Sequence, residues 1–118
     1  MRIWIGTLFI IISLLTGAYA LAAGHDEVFV LGKELYERNC ARCHGIGARG
    51  TEKGPPFLNE IYKPSHHSDM SFQMAVLNGV RAHHWNFGNM PPIDGVSMAE
   101  MGMIIKYVRA IQREAGIY

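Results

Sequence analysis

The chain of 118 residues has only two cysteines, Cys40 and Cys43. At most one internal disulfide can form, and with no cysteine near the N-terminus a lipid-modified N-terminal cysteine is excluded. Charge of one sign is also missing. Eleven basic residues face ten acidic ones, so no excess points to nucleic acid or an anionic membrane. No segment alternates apolar and polar residues as a half-buried strand does, and no Asn-Gly turn joins two apolar runs. Internal repeats and low-complexity tracts are absent as well. The length suits one domain.

Charge is absent altogether from Ile3 to Gly24. Behind the short basic head Met1-Arg2, the apolar run "IWIGTLFIIISLL" ends in small residues at "AYA" and "ALA". This is the pattern of a secretory signal peptide over residues 1–24, which would leave residues 25–118 as the domain. The run is also near the ~20 apolar residues of a membrane span, so retention as an anchor is the other reading. Either way the sequence predicts export, to the periplasm, where a disulfide is permitted. A domain of this size buries only about 60–65% of its unfolded surface and is often stapled by something extra.

What the sequence has is helix. From Asp26 to about Arg42, Val28, Leu31 and Leu35 with flanking Phe29 and Tyr36 predict one apolar face. A glycine- and proline-rich loop follows to Pro64. Ser68 or Asp69 caps a second helix carrying Phe72, Ala75 and Val76, and Gly79 stands at its C-terminal end. After the loop "RAHHWNFGNMPPIDG", Ser97 and Glu100 form a capping box. The last helix places Met101, Ile104, Ile105, Val108 and Ile111 on one face. The expectation is an all-α domain with two long loops, and loops of this length in a small domain either carry function or wrap something.

The two cysteines sit in "CARCH", residues 40–44. Four readings compete. A thioredoxin-like redox pair expects a βαβ setting, which the pattern lacks. A disulfide across three residues closes too short a loop to stabilise much. A zinc site needs two further ligands from elsewhere. Covalent haem attachment is the reading that C-x-x-C-H signals. Both thiols can add to haem vinyl groups as thioethers, and one helical turn between them suits vinyls on one ring edge. His44 then lies against the haem face as an iron ligand. For the opposite face the chain offers Met70, Met74, Met90, Met98, Met101, Met103 and the pairs His66-His67 and His83-His84. Met74, Met101 and Met103 fall within helices, where methionine usually fills the core. Met90 sits in "GNMPPI", a loop stiffened by two prolines, and methionine opposite histidine raises the reduction potential.

From Gly32 to Ile111 the chain resembles the class I monohaem c-type cytochromes, especially the short bacterial electron-transfer ones. The resemblance rests on "GKELY", "CARCH", "GPPF", "HWNFGNMPP" and Tyr107. It implies a cytochrome c fold of three to four helices around one haem c. Cys40 and Cys43 would be the attachment residues, and His44 and Met90 the axial ligands. The Pro55 carbonyl would accept from the ring of His44, Trp85 would lie near a haem propionate, and Gly32, Tyr36 and Tyr107 would mark the crossing of the terminal helices. Phe57 departs from the pattern, standing where leucine is commoner, a modest change of core volume.

The paired histidines are not part of that pattern. A helix of about 11 residues is roughly 16 Å long, so His66-His67 and His83-His84 start from opposite ends of it. They meet only if the loops fold back, which would still allow one histidine of each pair to meet beside the haem pocket. Pocket-lining histidines bonded to water or propionate are the plain reading, ahead of a second metal site and of bis-histidine ligation. Arg38, Arg42, Arg49, Lys53 and Lys63 read as solvated surface, or as a weak docking patch for an acidic partner. The expectation is a periplasmic one-electron carrier, not an enzyme, serving redox partner proteins. Its rivals are a haem sensor or small haem enzyme with a displaceable distal ligand, and a metal-handling module built on the histidine pairs.

Overall fold

A computed structural model describes residues 27–118. The segment read as a signal peptide lies outside the described residues. The domain is all-α. Helix α1 runs over 27–39 and breaks at Cys40. Helix α2 is the single turn Ala41–His44, α3 is Asp69–Asn78 and α4 is Met98–Glu114. Two 3₁₀ turns, Ile46–Ala48 and Glu60–Tyr62, punctuate the first loop. Among the described residues, strand pairing is limited to the isolated bridges Thr51–Gly54 and Val80–Met90. No described helix is long and apolar enough to cross a membrane.

The helix ends follow local chemistry. The Ser68 side chain, not that of Asp69, caps α3 by accepting from the Ser71 amide. Gly79 closes it with φ +73°, a left-handed conformation that glycine adopts without a steric penalty. Both halves of the capping box at α4 are present: Ser97 accepts from Glu100 N, and the Glu100 carboxylate accepts from Ser97 N.

Helices α1 and α4 cross at Gly32. A Cβ there would collide with the Met103 carbonyl oxygen and stand 3.1 Å from the Cβ of Tyr107. The crossing is walled by aromatics: Phe29 and Tyr36 each lie 5.3 Å from Tyr107. The buried face of α1 is therefore centred on Gly32, with Leu35 and Tyr36 beside it. Leu31, expected on that face, is 39% exposed. It lies one residue, or 100° of helix turn, away from the glycine at the contact.

Helix α4 also buries two polar side chains, Arg109 and Gln112. Arg109 donates from Nη1 to Tyr62 O (2.8 Å) and Gln112 Oε1 (2.7 Å), from Nη2 to His67 O, and from Nε to Asp69 Oδ1 (2.8 Å). Gln112 Nε2 donates to Phe57 O (2.9 Å) and Tyr62 O (3.2 Å). Buried polar groups are costly unless bonded. Every buried nitrogen and oxygen of these two side chains has a partner, and together they pin the segment 57–69 onto the last helix.

Candidate functional site

The motif turn hangs directly from α1. Cys40 N donates to Tyr36 O, and His44 N returns to Cys40 O at 2.9 Å, so Cys40 and His44 are one turn apart. The following loop is fastened to it. Thr51 Oγ1 donates to Cys43 O at 2.6 Å, and the Tyr36 hydroxyl donates to Gly45 O at 3.0 Å. Both cysteines are free thiols, Cys40 half-buried and Cys43 exposed. Burial, with Cys43 nearby, pushes the Cys40 thiol up to about 11.

His44 is buried, with Nδ1 3.0 Å from the carbonyl oxygen of Pro55. A carbonyl only accepts, so Nδ1 carries the proton and Nε2 keeps its lone pair. This is how a second contact orients a metal-binding imidazole. Burial lowers the pKa of His44, and the Pro55 bond opposes that in part. Phe57 stacks on the ring, with centroids 4.1 Å apart and planes 27° apart. It also packs edge-on against Tyr36, Tyr62 and Phe72. The residue that looked like a small change of volume is an aromatic hub beside His44, a role its type alone did not signal.

These side chains open onto a cavity of about 890 Å³ between α3, α4 and the two loops. Cys40, Cys43, His44, Pro55, Trp85 and Met90 all line it, so the structure brings every candidate site residue to one place. The rest of the wall is largely apolar, with Val76, Ile104 and Val108 among its residues. Size and lining suit a large, flat, mostly apolar ligand held by a few polar groups. Of the six methionines considered, Met70, Met74, Met90 and Met101 reach the cavity. Met90 is the one of these four outside the helices, and its backbone exchanges two 2.9 Å hydrogen bonds with Val80. Its carbonyl is packed so closely on Gly79 that a Cβ there would come within 2.5 Å. Trp85 Nε1 donates to the Tyr62 hydroxyl at 3.1 Å.

The four histidines line the same cavity, and both pairs meet. The expectation from helix length was separation. Instead the chain reverses at Gly79, and the Val80–Met90 bridge turns residues 81–89 into a return loop. A few extended residues cover the ~15 Å of α3. Ring centroids stand 5.1 Å apart for His66–His84 and 5.2 Å for His67–His84. Burial lowers the pKa of His67, with the neighbouring imidazoles and Arg109 adding to it. That of His84 is lowered as well, by desolvation and then by the other three rings. This gathering does not include either cysteine, so it gives no support to a zinc site shared with the C-x-x-C pair.

The sequence model of the family described as cytochrome c matches residues 29–112. No curated protein and no solved structure gave a match. The chain belongs to the cytochrome c family, as a monohaem c-type domain. The residues fit the group that membership implies: a haem-sized apolar cavity, two free thiols one turn apart, and an imidazole whose free nitrogen is fixed by Pro55.

Proposed function

We propose that this cytochrome c is an exported one-electron carrier, in which Cys40 and Cys43 would attach haem c and His44 and Met90 would supply its iron ligands. When bound, the haem supplies a ferric/ferrous couple that takes up and returns one electron. The observation that carries the reading is the Pro55 O–His44 Nδ1 contact, which commits His44 to a single ligating nitrogen. Pro55 thus acts on the metal only through His44. Met90 offers a thioether from a segment fixed by backbone bonds and followed by Pro91 and Pro92, which keeps the distal ligand in place as the charge on the site changes. The Trp85 and Tyr62 polar tips hold one another on the cavity wall, where they can meet a propionate. Cys43 is exposed, so the attachment edge is where a redox partner protein comes nearest. Residues 1–24 direct the chain to the periplasm, where thioether attachment takes place.

Optical spectra of the matured protein test this. A methionine-to-iron charge-transfer band in the ferric state, with poor carbon monoxide binding in the ferrous state, is the expected result. Ready carbon monoxide binding by the unaltered protein would replace the carrier reading with that of a sensor or enzyme with an open distal side.

A further inference from the structure

We propose that His66, His67 and His84 form a second metal site, on the solvent-facing wall of the cavity, for an imidazole-seeking divalent ion such as zinc or copper. The site is distinct from the axial pair and does not depend on it. One nitrogen from each ring lies within 4.8 Å of the other two. Tetrahedral zinc with Zn–N of about 2.0–2.1 Å spaces its ligand nitrogens by roughly 3.3 Å. Closing the gap takes about an ångström of movement per ring, and His66 and His84 are exposed.

His67 is the fixed point. Its Nδ1 donates to Ile61 O at 2.6 Å, which leaves Nε2 as the ligating atom. Its own carbonyl accepts from the buried guanidinium of Arg109, which also grips Tyr62 and Asp69 on either side. One preset ligand with two adjustable ones is a workable way to build a site, and a backbone carbonyl behind the first imidazole is a common orienting device. His83 stacks on His67 at 5.9 Å, lies 4.2 Å from His84, and donates its Nδ1 to Arg81 O. It stands as the nearest further imidazole; three protein ligands leave the fourth position for it or for water.

Among the described hydrogen bonds, none joins one of these rings to another, and the two that are bonded are tied to backbone carbonyls. The four rings, gathered from two loops, thus meet through faces and edges while their ring nitrogens make no use of one another. A shared divalent ion supplies the missing attraction, and imidazole is a preferred ligand for zinc and copper.

The test is zinc titration of the haem-loaded protein by calorimetry, with metal analysis after dialysis. The expected result is one zinc per chain. His66→Ala and His84→Ala, both at exposed positions, should each weaken binding by more than about 100-fold, beyond the loss of an orienting contact alone, with the methionine-to-iron charge-transfer band retained. The proposal is overturned if zinc does not bind, if either variant binds it as the unaltered protein does, or if either variant alters the axial-ligand bands, which would assign those rings to the haem.

Discussion

Replacing Arg109 with methionine keeps an unbranched apolar stem, shortens the side chain and removes its charge and five donors. The magnitude follows from the partners. Asp69 has a side chain 61% exposed, so its loss of an ion pair is absorbed by water and contributes at most about 1 kcal/mol. Tyr62 O keeps its second donor, Gln112 Nε2 at 3.2 Å. His67 O and Gln112 Oε1 lose the guanidinium, their partner from helix α4, at about 1–3 kcal/mol each if nothing replaces it. Against this stands relief from burying a guanidinium that is only 8% exposed, so the net loss comes to about 2–3 kcal/mol. Urea unfolding of the haem-loaded protein measures it, as a lower midpoint with an unchanged slope. Asp69→Asn should cost less than ~1 kcal/mol in the same assay. If Asp69→Asn cost as much as Arg109→Met, or if Arg109→Met cost nothing, the buried carbonyl contacts would not be what fastens residues 57–69 to the last helix.

Met90→Ala should keep covalent haem, lose the charge-transfer band, lower the reduction potential and admit carbon monoxide, whereas Met98→Ala, exposed at the start of α4 and outside the cavity lining, should leave all four unchanged. Gly32→Ala gains about 1 kcal/mol of helix propensity. It nevertheless should destabilise by up to about 2 kcal/mol net, since the added methyl meets the Met103 backbone and overpacking costs roughly 1–3 kcal/mol; a stabilised variant would deny the close crossing. Tyr62→Phe leaves the half-buried Trp85 N–H without its acceptor and should cost about 1 kcal/mol, read by thermal or urea unfolding.

Much of the fold was legible because it is written locally. The Ser97–Glu100 box, the cap at Ser68 and the stop at Gly79 each lie within a few residues of the bond they make. Membership of the cytochrome c family was legible for the same reason: two thiols and an imidazole within five residues are a complete local signal. What escaped was long-range. Gln112 falls on the apolar face of Ile105 and Val108 and Arg109 at its margin, but their side-chain type reads as solvent-facing, and their partners are 40 to 55 residues away, Gln112 Oε1 aside. Leu31 was misplaced because the contact face is centred on a glycine, which no count of apolar side chains reveals. The meeting of the histidine pairs depends on the reversal after Gly79. The glycine marked the end of α3 but not the direction in which the chain leaves it.

The most direct measurement is the mass of the protein after maturation in a periplasm, taken under denaturing conditions and alongside its colour. The account predicts a chain heavier by one haem, attached to the peptide that contains Cys40 and Cys43 and still coloured when unfolded. A colourless product with the mass of bare polypeptide, from cells whose attachment machinery works on other chains, would contradict it.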